Sequence, residues 1–164
     1  MPPPLAKRIE VSMTDELADL WDTAIYKEIA SQSLYLEAQR DTDDPAARSL
    51  LAELAVQELK HAEILRKLKE SGWEPGDWSP TAAGDLRLSE YFKGPDTLEG
   101  AGLQEVLVFA MKREQQSVLF YTQMMGALRQ EASKMLCLRL AQEELKHKMK
   151  LELEYEKLFP ERQY

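Results

Sequence analysis

The chain contains very little cysteine and glycine, and it has no long hydrophobic run. Its single cysteine, Cys137, excludes an internal disulfide framework and any metal site built from several thiolates. Seven glycines in 164 residues, against abundant Ala, Leu, Glu, Lys and Gln, favour helix over sheet. No apolar stretch is long enough for a signal peptide or a membrane-spanning helix. We therefore expect an all-α protein located in the cytoplasm, where a lone thiol stays reduced.

The chain also lacks an excess of positive charge. Its formal net charge is −8 at neutral pH. Nucleic acids and anionic membranes both attract basic surfaces, so this charge argues against either as a partner. A length of 164 residues is typical of one domain with a sizeable core. We predict a single domain over residues 1–164.

Each of the two histidines follows a glutamate by three residues. On an α-helix this spacing places both side chains on one face, about one turn apart. A further glutamate stands thirty residues before each pair, in stretches that also share an alanine, a serine and a tyrosine. The pattern therefore occurs twice with an offset of 86 residues, and its main members are Glu28/Glu114, Ser31/Ser117, Tyr35/Tyr121, Glu58/Glu144 and His61/His147.

The apolar residues recur with helical spacing in four segments. The predicted helices cover about residues 14–40, 45–71, 103–128 and 131–158. Thr14 and Asp15 are candidate N-caps for the first helix, and Asp43 or Asp44 for the second. We therefore predict a four-helix bundle over about residues 14–158.

Residues 72–102 differ in kind from the helical segments, because they hold six of the seven glycines together with Trp73 and Trp78. Such a connection is too long for an antiparallel hairpin and is typical of a crossover along the side of a bundle. We expect the two tryptophans to attach this crossover to the bundle rather than to bind a ligand.

The repeated glutamates are positioned to meet in the folded protein. Within each helical hairpin they lie fifteen residues either side of the turn, which falls near residue 43 in the first hairpin and residue 129 in the second. Residues equidistant from the turn of an antiparallel pair lie at the same level, given a rise of about 1.5 Å per residue. Packing the two hairpins together then brings four glutamates and two histidines into one buried layer.

Four carboxylates cannot share a dry core as bare anions, because desolvation and mutual repulsion would force most of them to take up protons. Two divalent cations would balance their charge, and mixed oxygen and nitrogen ligands suit iron or manganese, with zinc possible. We predict as metal ligands Glu28, Glu58, His61, Glu114, Glu144 and His147. The alternative is a duplicated hairpin that keeps this pattern without binding metal.

These residues resemble the ferritin-like superfamily and, within it, the rubrerythrin-type di-iron domain, over about residues 14–158. The resemblance implies a ferritin-like four-helix bundle with a long crossover between helices two and three. It implies that Glu28 and Glu114 are terminal carboxylates and that Glu58 and Glu144 bridge two iron ions. Each histidine would then bind one iron.

The sequence departs from the rubrerythrin pattern in two ways. Rubrerythrins carry an additional glutamate one turn beyond the third-helix ligand, where this chain has Ser117. They also carry a rubredoxin-like module with four cysteines, which the lone Cys137 cannot form. A separate electron-donor protein is therefore implied. Tyr35 and Tyr121 either donate hydrogen bonds to ligand carboxylates or are ordinary core tyrosines, and the sequence leaves both readings open.

The leading functional hypothesis is a non-haem di-iron or di-manganese oxidoreductase that reacts with O2 or peroxide, with ferroxidase-like or peroxidase-like activity. The alternatives are an iron-binding or storage protein without turnover, a structural bundle with a vestigial or zinc-filled site, and a substrate hydroxylase. A homodimer is expected from the family resemblance and from apolar residues on several sides of the third helix, among them Val106, Val108 and Phe109.

Overall fold

The computed structural model describes residues 5–70 and 100–161, with side chains in the first helix described from Ala18 onward. Within these ranges the backbone forms α1 (Leu5–Asp41), α2 (Pro45–Glu70), α3 (Leu103–Ala127) and α4 (Glu131–Leu158). Helix α1 packs against α2 and α3 packs against α4, and the two hairpins meet through α2 against α4 and α1 against α3. The protein is an all-α four-helix bundle, as predicted.

The two hairpin turns are three residues long and form where the sequence indicates. Asp44 caps α2, because its side-chain oxygen Oδ2 accepts a hydrogen bond from the backbone N–H of Ala47 at 2.8 Å. Pro45 begins α2, where a missing N–H has no cost. In the second turn the backbone N–H of Leu128 donates a hydrogen bond to the backbone carbonyl of Met124, which ends α3. The turn near residue 129 is thus confirmed, and Asp44 is the cap rather than Asp43.

Helix α1 begins at Leu5, earlier than the predicted start near residue 14. Thr14 and Asp15, the predicted N-caps, therefore lie inside the helix, and that prediction is wrong. The physical reason is that residues 5–13 contain no glycine or proline and are compatible with helix throughout, so a residue suited to capping is not by itself a helix boundary. Most of the predicted crossover, with Trp73 and Trp78, lies outside the described residues.

The apolar core consists of two clusters separated by a polar layer. One cluster lies beside the α3–α4 turn and contains Trp21, Phe120 and Cys137. The other lies beside the α1–α2 turn and contains Leu54 and Tyr155. The two turns are therefore at opposite ends of the bundle, and the hairpins run in opposite directions.

The apolar residues of α3 that prompted the dimer prediction are partly used within the bundle itself. Val106 is buried in the cluster beside the α1–α2 turn, and Val108 and Phe109 are half-buried against it. None of the helices in the described ranges is both long enough and apolar enough to cross a membrane.

Replacing Leu140 by alanine should lower the free energy of unfolding by about 2–5 kcal/mol, because the fully buried side chain leaves a cavity in the core. Leu153 on the same helix is 56% exposed, and its replacement by alanine should change the value by less than about 0.5 kcal/mol. Urea denaturation of both variants, with a chelator present throughout, measures the difference. Equal losses would contradict the assigned core.

Candidate metal centre

The six predicted ligands all lie in the polar layer between the two apolar clusters. Each is buried, with at most 5% of its surface exposed. Helix α1 supplies one glutamate, α2 a glutamate and a histidine, and the second hairpin repeats this division. The contributing residues are Glu28 on α1, Glu58 and His61 on α2, Glu114 on α3, and Glu144 and His147 on α4. The structure therefore brings together all six predicted ligands.

The six residues form two overlapping groups, each able to surround one cation. The His61 position consists of Glu28, Glu58, His61 and Glu144. The His147 position consists of Glu58, Glu114, Glu144 and His147. Within each group, one ligand atom from every residue lies within 4.8 Å of the others. Because Glu58 and Glu144 belong to both groups, the two positions are adjacent and share a pair of carboxylates.

Both imidazole rings direct Nδ1 toward the centre of the layer. Nδ1 of His61 lies 2.7 Å from Glu144, 3.3 Å from Glu58 and 3.6 Å from Glu28. The two rings stack at 5.5 Å between centroids, with their planes 13° apart. The nitrogens that could bind a cation therefore face the same carboxylates.

The His147 ring repeats this arrangement on the other side of the layer. Its Nδ1 lies 3.1 Å from Glu58, 3.4 Å from Glu144 and 3.7 Å from Glu114. The two histidines thus make equivalent contacts with the carboxylates, as the 86-residue offset of the sequence pattern predicts.

The tyrosine hydroxyls cross the bundle between α1 and α3. Tyr121 on α3 donates a hydrogen bond to Glu28 on α1, and Tyr35 on α1 donates to Glu114 on α3. Burial, followed by the charge of Glu114, raises the pKa of Tyr35 well above its usual value, so this hydroxyl keeps its proton. Both tyrosines are fully buried. Glu28 and Glu114 are therefore each held in place by a tyrosine of the opposite hairpin.

Sequence reasoning missed Glu143, which contacts the outer nitrogen of His61. Nε2 of His61 lies 2.6 Å from Oε2 of Glu143, and Nε of Arg139 donates to the other carboxylate oxygen at 3.2 Å. Glu143 is half-buried at 26% side-chain exposure. In the sequence it resembles an ordinary surface charge, and the one available signal is that it precedes Glu144 directly.

Protonation divides the four buried glutamates into two kinds. Burial, and then repulsion from the neighbouring carboxylates, raises the pKa of Glu58 and Glu144 well above the usual range. Burial also acts to raise the pKa of Glu28 and Glu114, but hydrogen bonds from neighbouring side chains outweigh it. They lower the pKa of Glu28 and bring that of Glu114 to about 2.

Both histidines favour the protonated form, whereas burial alone would favour neutral imidazole. Burial lowers the pKa of His147, but hydrogen bonds to Glu114, Glu144 and Glu58 raise it to about 12. The pKa of His61 is raised for the same kind of reason, with Glu144 the largest favourable contact. Two ionised carboxylates then face two imidazolium rings, and protons balance the charge of the layer.

The arrangement fits a pair of cations. Oε2 of Glu58 and Oε2 of Glu144 are buried and have no hydrogen-bond partner within the described residues. These atoms belong to the two residues that both groups share, where a cation would supply the missing interaction. Oxygen and nitrogen donors without thiolate are the ligand set that suits iron or manganese. The layer therefore has the composition and geometry of a metal site.

Comparison with family models and with curated proteins gives no match. Two solved structures do match the fold. A hypothetical protein from Pyrococcus furiosus is 25% identical, with a TM-score of 0.69 over 90% of this chain and 93% of that one. A protein from Thermotoga maritima, described as a candidate ferritin-like diiron-carboxylate protein, is 24% identical, with a TM-score of 0.63 over 85% and 93% of the two chains. The fold is ferritin-like.

Cation binding should release protons. At neutral pH the raised pKa values keep protons on Glu58, Glu144 and both histidines, and all four groups must lose them before they can bind metal. Raising the pH therefore removes the competing protons, and the affinity for Zn²⁺ should increase from about pH 6 to about pH 8. Calorimetric titration in buffers of different ionisation enthalpy measures the protons released. Binding without proton release would contradict these protonation states.

Proposed function

We propose that the chain is a non-haem di-iron carboxylate protein with a rubrerythrin-type domain, an oxidoreductase that reacts with O2 or peroxide and has ferroxidase-like or peroxidase-like activity. The observation that carries this proposal is the pair of overlapping groups, each with three carboxylates and one imidazole, that share Glu58 and Glu144. Structural zinc sites are usually closed and rich in thiolate, whereas shared carboxylates suit two redox-active ions whose coordination changes during turnover. Manganese is compatible with the same donors.

In this proposal Glu28 and His61 would hold one iron, Glu114 and His147 would hold the other, and Glu58 and Glu144 would serve both. Two bound ferrous ions would supply the two electrons that, with two protons, convert one peroxide molecule into two water molecules. The protein residues fix the ions and keep bulk water out. The crossed tyrosine hydrogen bonds hold the terminal carboxylates in orientation.

The packing of the site supports a small substrate. All six candidate ligands are nearly inaccessible to solvent. A cavity of about 210 Å³ at the α1–α2 end is lined by residues such as Leu34, Ala38, Leu103 and Val106, and none of the six is part of its described lining. A substrate hydroxylase would need an apolar cavity beside the metals. Peroxide and O2 need no such cavity.

Repeated reduction of peroxide or O2 would need a supply of electrons. A rubredoxin-type iron centre needs four thiolates, and the sequence has one cysteine, which is buried in the apolar core. We therefore propose a separate electron-donor protein as a partner. Position 117, where rubrerythrins have their additional glutamate, is a half-buried serine, so a carboxylate is not available there for a moving iron.

Glu58→Ala should abolish iron-dependent consumption of peroxide and O2, because it removes a carboxylate shared by both positions. Glu63 on the same helix is exposed, and Glu63→Ala should retain the activity of the unchanged chain. Stopped-flow absorbance after mixing the ferrous protein with peroxide, followed by repeated cycles with a chemical reductant, measures turnover. Retained turnover in Glu58→Ala would refute the assignment.

An iron-binding or storage protein without turnover is the second candidate, and the complete burial of the site favours it over any reaction with a larger molecule. The repeated reduction cycles distinguish the two, because a storage protein would oxidise iron once and accumulate it. Storage in a cage needs many subunits, whereas we propose a homodimer. Size-exclusion chromatography separates these assemblies.

A further inference from the structure

The residue before Glu58 differs from the residue before Glu144, and this difference breaks the symmetry of the metal centre. The 86-residue offset pairs Glu28 with Glu114 and Tyr35 with Tyr121, but it pairs Glu143 with Gln57. The six candidate ligands and the two tyrosines that donate hydrogen bonds to them have the same residue type in both halves. The two halves therefore differ by one carboxylate at a position next to the site.

This carboxylate contacts only one of the two histidines. Nε2 of His61 lies 2.6 Å from Glu143, on the side of the ring that faces away from the metal positions. Within the described ranges, the hydrogen-bond and ion-pair contacts of His147 are all made by Nδ1, which faces the centre. His61 is also the more buried ring, at 0% against 5% exposure.

We propose that Glu143 makes the two metal positions unequal, so that the His61 position binds its cation first and more tightly than the His147 position. This inference rests on the proposed metal centre. It assigns Glu143 as a positioning residue, because Glu143 acts on the cation through His61 rather than by binding it. Gln57, an amide, has no charge to contribute to the His147 position.

Two physical effects act in the same direction at the His61 position. A carboxylate that accepts a hydrogen bond from Nε2–H fixes the tautomer in which Nδ1 carries the free electron pair, and it holds the ring in orientation. The same carboxylate strengthens the ring as a donor to the cation. Mutation of such outer partners typically weakens metal binding by about 10–100-fold.

The nearby charges reduce this effect without removing it. Arg139 pairs with Glu143 at 3.2 Å, but its side chain is 67% exposed and the attraction is screened by water. The other differences between the halves include Ala62, next to His61, which is opposite Lys148, and the amine of Lys148 pairs with Glu152 at 3.4 Å. Within the described residues, none of these differences places a carboxylate on Nε2 of His147.

The experiment is a titration of the chelator-treated full chain with Zn²⁺. Calorimetry in the presence of a competing chelator measures the affinity of each binding step. The unchanged chain should bind two equivalents in two steps of different affinity. Glu143→Gln should weaken the tighter step by about 10–100-fold and leave the weaker step in place. Glu156 is exposed on the same helix, and Glu156→Gln is the matched control, expected to change neither step.

The reciprocal variant keeps the test independent of any general damage to the site. Gln57→Glu should strengthen the weaker step, and combining it with Glu143→Gln should restore two unequal steps with their order exchanged. His61→Ala and His147→Ala identify the order, since His61→Ala should remove the tighter step in the unchanged chain. In the combined variant, His147→Ala should remove it instead.

The inference and the proposed function fail in different ways. Two equal steps in the unchanged chain would overturn the inference. So would a Glu143→Gln variant in which both steps are unchanged, or in which both are weakened equally. Each of these outcomes would leave the di-iron proposal standing. Two unequal steps that respond to Glu143→Gln, in a chain without iron-dependent turnover, would support the inference and refute the oxidoreductase. Fewer than two equivalents of bound Zn²⁺ would overturn both.

Discussion

The repulsion among four carboxylates in one dry layer is the constraint on which the rest of the structure depends. Two like charges about 4 Å apart repel by about 4 kcal/mol even at an effective dielectric of about 20. A typical domain is stable by only about 5–15 kcal/mol, so several such pairs would unfold it. The bundle can keep these residues only if protons or cations neutralise them. The raised pKa values of both imidazoles and of Glu58 and Glu144 favour protons on these groups, and such protons balance the charge of the layer.

The apolar clusters give this layer its chemistry as well as its stability. They exclude water above and below the carboxylates, which strengthens every electrostatic interaction within the layer. The same exclusion fixes where Tyr35 and Tyr121 can donate, because a buried hydroxyl must find a partner nearby. Tyr35 satisfies this need by donating to Glu114 and Tyr121 by donating to Glu28, each on the opposite hairpin. The packing and the polar contacts are therefore parts of one arrangement.

The sequence predicts the helices and the convergence of the site because both follow from spacing along the chain. The Glu58–His61 interval and its repeat define a face, and the equal distances from each turn define a level. Helix α1 starts at Leu5 rather than near residue 14, because a start within a helix-compatible stretch depends on tertiary context, which the sequence does not display. The contact between Glu143 and His61 joins residues 82 positions apart on different helices, and no local periodicity indicates it.

The opposite orientation of the two hairpins has a consequence for how such a centre can specialise. Each metal position draws on both hairpins, so a lone hairpin would hold neither, whereas two identical copies could pair about a twofold axis and hold both. In such a dimer the twofold axis would make the surroundings of both cations identical. When the two hairpins are parts of one chain, their sequences can differ. One difference, an amide at Gln57 against a carboxylate at Glu143, is enough to give each ion its own surroundings.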